Sequence, residues 1–139
     1  MATRAILTAL PVLALLSACA TGPKEPAALT PEAKAYVKNL ALSGVEMKAA
    51  ESFSGQQVVE IIGQIGNKGD RILKTVEVMC VFYDPSGQVV ARERVTIVRE
   101  KTGGLKPGET KPFRLPFDTL PASWNQAAPG LVIAAIIFG

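Results

Sequence analysis

Between Gln57 and Gly66 the stretch QVVEIIGQIG puts Val59, Ile61, Gly63 and Ile65 on one side of an extended chain, with Glu60 and Gln64 on the other. That period of two predicts a half-buried strand. In ILKTVEVMCVFYD the even positions Ile72, Lys74, Val76, Val78, Cys80 and Phe82 form the side that is drier along its centre, opposite Thr75, Glu77, Met79, Val81 and Tyr83. Side chains two apart on a strand share a face, so Cys80 is expected in the core between Val78 and Phe82. QVVARERVTIV, KPFRLPFD and LVIAAIIF read as further strands. Pro112 and Pro116 lack amide donors and mark KPFRLPFD as an edge or irregular strand with Phe113, Leu115 and Phe117 on its apolar face. The closing apolar run between Gly130 and Gly139 is too short to span a membrane and is expected to be a strand buried on both faces.

Turn chemistry separates these segments. GNKGD (66–70) supplies two glycines and an asparagine, DPSG (84–87) fits a type I turn, and KPGE (106–109) places Pro107 and Gly108 where a type II turn needs them. Ahead of the strands, TPEAKAYVKNL offers Thr30 as a cap, Pro31 at the first helical position and Glu32 to complement the helix dipole. A short helix over about 31–39 is expected, and its low hydrophobic content suggests a connector (30–40) rather than a core element. Six or seven short strands joined by turns over 41–139 predict an all-β, immunoglobulin-like antiparallel β-sandwich.

The first residues follow a different pattern. Arg4 precedes an apolar stretch from Ala5 to Leu16, interrupted by Thr8 and Pro11 and followed by small residues. This is the build of a secretory signal peptide, too short to remain as a transmembrane helix. Leu16-Ser17-Ala18-Cys19 resembles the lipobox of bacterial lipoproteins. The resemblance implies removal of residues 1–18, diacylglyceryl transfer to the Cys19 thiol and acylation of the new amino terminus. The alternative is an uncleaved or conventionally cleaved leader that happens to end in cysteine. Residues 19–29 then form a lipidated N-terminus and an extended, proline-bearing tether. Ala20 stands where Gram-negative lipoproteins retained at the inner membrane usually carry aspartate. The resemblance therefore implies the bacterial cell envelope, at the periplasmic face of the outer membrane in a Gram-negative host.

Charge and composition narrow the chemistry. The net charge is +3, and removal of residues 1–18 takes away only Arg4, leaving about +2. Histidine is absent, which removes the side chain most used for general acid–base work and metal ligation near neutral pH. No run of Lys or Arg tracks a phosphate backbone, so nucleic acid is not an expected partner. Met79 and Cys80 are adjacent on a strand and point to opposite faces, so they cannot share one metal ion. No S-x-x-K spacing supports a serine–lysine nucleophile at Ser52, Ser54 or Ser86, and Gly103-Gly104 lacks the rest of a phosphate loop. No catalytic residue, metal or cofactor is expected. Arg92, Arg94, Arg99 and Lys101 are the candidate interaction surface, although Glu93 and Glu100 interrupt them and charge on a strand's outer face is usually a solvated face or edge protection.

Gly63-Gln64-Ile65-Gly66-Asn67-Lys68-Gly69, Cys80-Val81-Phe82-Tyr83-Asp84 and Leu105-Lys106-Pro107-Gly108-Glu109 together resemble the FxLYD-type domains of bacterial envelope proteins. The resemblance covers roughly residues 42–138. It departs where Cys80 takes the motif's Phe and Phe82 its Leu. It implies an immunoglobulin-like sandwich of mostly uncharacterised function, with no catalytic residues to carry over. The resulting expectation is a non-enzymatic, lipid-anchored envelope protein. Its membrane contact is Cys19, and its sandwich binds another envelope protein. The alternatives are an accessory subunit of an envelope enzyme or transport complex, and a purely structural lipoprotein.

Overall fold

The computed structural model describes residues 29–51 and 57–139; the expected leader, Cys19, the expected tether up to residue 28 and residues 52–56 lie outside these spans. After the helix α1 (Pro31–Tyr36) come six strands: β1 (Leu40–Glu51), β2 (Gln57–Asn67), β3 (Leu73–Tyr83), β4 (Val89–Val98), β5 (Thr110–Phe117) and β6 (Gly130–Phe138). They form two antiparallel sheets, one ordered β1-β2-β5 and the other β4-β3-β6. The β1–β2 and β3–β4 connections stay within a sheet, and the other three cross between sheets. The chain is an all-β, immunoglobulin-like antiparallel sandwich of six strands.

The alternation along the strands builds the core. Ile61 and Ile65 of β2, Val76, Val78, Cys80 and Phe82 of β3, and Phe113, Leu115 and Phe117 of β5 meet between the sheets. Phe82 sits at the centre, edge-on to Phe117 at 5.1 Å and to Trp124 at 5.9 Å between ring centroids. Trp124, in the β5–β6 connection, closes that end and donates its indole N–H to the Ala127 carbonyl at 3.1 Å.

The two turns expected by type, at 84–87 and 106–109, both form. The Gly87 amide donates to the Asp84 carbonyl at 3.0 Å, and the Asp84 carboxylate accepts from the Ser86 and Gln88 amides. A hydrogen bond from the Ser86 hydroxyl, followed by that from the Gln88 amide, holds the Asp84 carboxyl below its ordinary pKa. In the second turn the Glu109 amide donates to the Lys106 carbonyl, and Gly108 has the positive φ of 77° that a type II turn requires.

Three expectations are corrected. In β3 a register irregularity between Leu73 and Thr75 moves Leu73 into the core and leaves Ile72 half exposed, so strict even parity begins only at Val76. The closing strand β6 is not buried on both faces. It lies at the edge of its sheet, and a register shift opposite Glu77 and Val78 turns both Ile133 and Ile136 inward. Val132 and Ile137 face out, 58% and 55% exposed, because a sandwich of two three-stranded sheets covers only one face of each sheet.

The helix is the third correction. It is helical only to Tyr36 and continues as a 3₁₀ turn over Val37–Asn39. It is more than a connector, since Ala33 and Tyr36 are buried in the core cluster. Tyr36 stands edge-on to Phe138 at 5.3 Å and donates its hydroxyl to Asn67 Oδ1 at 2.8 Å. Asn67, 1% exposed, also accepts from the Gly69 amide and donates through Nδ2 to the carbonyls of Arg71 and Leu105. Its backbone bonds the 108–109 turn as both donor and acceptor. The Arg71 amide donates back to the Tyr36 hydroxyl at 3.1 Å. One asparagine thus ties the helix, the β2–β3 turn and two points of the β4–β5 connection together. Gly69 is required beside it, because a Cβ there would stand 2.1 Å from the tyrosine oxygen.

Candidate functional site: a groove between two edge strands

The candidate arginines separate in space. Arg92 and Arg94 sit opposite Val81 and Met79 on the outer face of the β4-β3-β6 sheet, and Arg94 is ion-paired with Glu77. Lys101 lies in the exposed 3₁₀ turn Glu100–Thr102 that follows β4. Arg99 immediately precedes that turn, and its carbonyl accepts from the Thr102 and Gly104 amides.

Arg99 instead joins two cations from the other sheet. Strands β4 and β5 are edges on the same side of the sandwich, and between them runs a groove of about 450 Å³. Ile97, Val98, Phe113 and Leu115 supply its apolar surface. Thr96, Arg99, Thr102, Lys111 and Arg114 supply its polar one. Lys111 shares strand parity with Phe113 and Leu115, so it is an inward-directed cation on an edge strand. Its ammonium donates to the Thr102 carbonyl at 2.8 Å, and Glu109 lies 3.5 Å away. Arg114 pairs with Glu60. Arg99 has no ion-pair partner among the described residues. No carboxylate is among the described residues that line the groove.

A larger recess, about 530 Å³, opens over the outside of the β1-β2-β5 sheet beside Gly44, Ile62 and Pro112. Among the described residues that line it, Arg114 alone is charged. Convergent polar groups over apolar surface distinguish a binding site from a surface hollow, and they favour the smaller groove. Sequence reading singled out Arg99 but missed Lys111 and Arg114, which belong to a different sheet. The parity of Lys111 within KPFRLPFD was the available signal.

Among the described residues no three His, Cys, Asp or Glu side chains gather around one point. Cys80 is a free thiol, fully buried as its strand parity anticipates. Burial, and secondarily the Glu93 carboxylate paired across from it, push its pKa from 9.0 to about 11. Thiolate is the reactive form, so native Cys80 should resist a thiol reagent at pH 8 and label fully once the domain is unfolded. The same shift has a consequence for stability. Above pH 9 the unfolded thiol ionises while the folded one keeps its proton, so its contribution falls as pH rises from about 9 through about 11. Denaturation midpoints across that window should fall more steeply for the native chain than for Cys80→Ala; parallel curves would contradict the shift.

No family model matches the chain, and no curated protein matches it. A crystal structure of a Bordetella pertussis protein provisionally assigned as ApaA is similar at 20% identity, covering 71% of this chain and 90% of that one with a TM-score of 0.39. Similarity at that level carries no argument about function.

Proposed function

We propose that this chain is a lipid-anchored protein of the bacterial cell envelope, whose FxLYD-like sandwich is a non-catalytic binding module for another envelope protein. Support for the anchor comes from Leu16-Ser17-Ala18-Cys19, and Ala20 favours the periplasmic face of the outer membrane. The observation that carries the binding half is the β4–β5 groove, with Arg99, Lys111 and Arg114 around an apolar surface. That combination suits an extended segment with carboxylates to meet the cations and apolar side chains to cover the surface between the sheets. Pro112 and Pro116 withhold donors from the edge of β5, so recognition there rests on side chains.

Crosslinking in intact cells followed by co-purification tests the proposal. The wild-type chain should repeatedly recover one envelope partner. Arg99→Glu, which alters an exposed side chain outside the core, should recover it about tenfold less well, corresponding to about 1.4 kcal/mol. Equal recovery by the charge-reversed variant would remove the groove from the proposal, and repeated absence of any partner would remove the binding module.

A further inference from the structure

Among the described residues the two sheets end in four edge strands, and three of these carry devices that discourage another strand from adding. In β1 the register breaks between Ser43 and Glu46, and Lys48 follows. In β5 the device is Pro112 and Pro116, and in β4 it is the charged run Arg92-Glu93-Arg94. Bulges, prolines and charges are the means by which natural edges avoid pairing with other chains. Edge strand β6 has no charge and no proline, and two of its outward side chains, Val132 and Ile137, are largely exposed. No backbone hydrogen bond from another described segment reaches Gly130–Phe138 outside its ladder with β3. Leu29 and Thr30 border the outer side of Ala135–Ile137 without such a bond.

The sequence of this edge mirrors itself. Read inward from both ends, GLVIAAIIFG matches Gly130 with Gly139, Leu131 with Phe138, Val132 with Ile137, Ile133 with Ile136 and Ala134 with Ala135. Burial mirrors it too. Val132 and Ile137 are exposed, Ile133 and Ile136 are buried, and the two alanines between are half-buried. The shift in the β3 ladder, which skips Ala134 between Ile133 and Ala135, produces this symmetry by turning both isoleucines inward. Two antiparallel strands related by a two-fold axis place residue i of one opposite its mirror position in the other, on the same face.

We propose that β6 pairs with β6 of a second copy of this chain, about a two-fold axis through the Ala134–Ala135 peptide, joining two three-stranded sheets into one of six. The second copy suits this edge because each exposed side chain meets an exposed apolar partner and each buried one stays over its own core. Two copies of a cationic chain repel, and an edge without charged side chains lets them meet without placing like charges opposite one another. A nine-residue strand offers an edge of about 30 Å, which puts the contact at the small end of specific interfaces, below about 1,200 Å². The dimer is therefore a dissociable one, dependent on concentration.

Disulfide trapping reads the register directly. Differently tagged full chains carrying Val132→Cys or Ile137→Cys are purified in mild detergent, mixed and oxidised, with wild-type chain as background. Mirror positions lie about 5 Å apart in such a ladder, within reach of a disulfide, whereas two copies of position 132 lie about 17 Å apart. The mixture should give a heterodimeric crosslink at least several-fold above either variant alone. Sedimentation of the wild-type chain should show mass rising with concentration, and Ile137→Lys should abolish that rise while leaving the unfolding temperature within a few degrees. Folded variants that crosslink no better mixed than alone, or a wild-type chain monomeric at every concentration, would overturn the pairing. So would a cysteine at 132 that crosslinks to a different envelope protein in place of its own copy.

Discussion

Asn67→Ala should cost the domain about 3 kcal/mol, seen as a fall in the denaturant midpoint at unchanged slope. The estimate follows from what the substitution strands. Asn67 Oδ1 satisfies the Tyr36 hydroxyl and the Gly69 amide, and Nδ2 satisfies the carbonyls of Arg71 and Leu105. With the side chain 1% exposed, water cannot replace these partners without opening the structure. Each buried polar group left unpaired costs about 1–3 kcal/mol; the Tyr36 hydroxyl and the Arg71 carbonyl keep their own hydrogen bond, so the total falls below the four-group sum, to about 3 kcal/mol for the Gly69 amide and the Leu105 carbonyl. Two comparisons separate the hub from a generic core defect. Tyr36→Phe strands the Arg71 amide and one acceptor and should cost about 1–2 kcal/mol. Asn67→Asp keeps the acceptor but sets a carboxylate against two carbonyls, so it should be no milder than alanine. A loss below about 1 kcal/mol for Asn67→Ala would mean the helix is not latched through this residue.

A chain beginning at Ala20 behind an ordinary cleavable leader should move from the membrane fraction to the soluble periplasmic fraction almost completely. Two acyl chains of about 15 methylenes, at about 0.8 kcal/mol for each buried CH₂, represent more than 20 kcal/mol of nominal anchoring. Little else on the folded part competes with that figure. No helix among the described residues is long and apolar enough to cross a membrane. The exposed Val132 and Ile137 would contribute only a few kcal/mol even if fully inserted. In the full chain, Cys19→Ser should abolish incorporation of labelled fatty acid and leave the leader uncut, because a hydroxyl is a far weaker nucleophile than a thiolate. Unchanged membrane recovery of the chain beginning at Ala20 would contradict the anchor.

The β-sandwich was legible because its signals are local. Period-two alternation placed Cys80 between Val78 and Phe82, and the prolines of β5 announced an edge two residues at a time. The illegible features each depend on the sheet order. Tyr36 and Asn67 are 31 residues apart, and Asn67 reads locally as a turn former; only the fold reveals that it is fully buried. A continuous apolar run such as LVIAAIIF is compatible with burial on both faces, and nothing in it declares that it will lie at an edge with a register shift at its alanines. The groove escaped for the same reason, since Arg99 and Lys111 come from different sheets and meet only because β4 and β5 are edges on one side. Cys19 lies outside the described residues, and its proposed lipidation rests on the Leu16-Ser17-Ala18-Cys19 pattern.

Intact-mass measurement of the protein extracted from its own membranes is the direct test of the proposed envelope role. The expected species lacks residues 1–18, carries a diacylglyceryl group on Cys19 and, in an N-acylating host, a third acyl chain on the new amino terminus, with Cys80 unmodified. A mature chain whose Cys19 is a free thiol, one cut at another position, or one retaining its leader would contradict lipid anchoring and return the sandwich to a role away from the membrane surface.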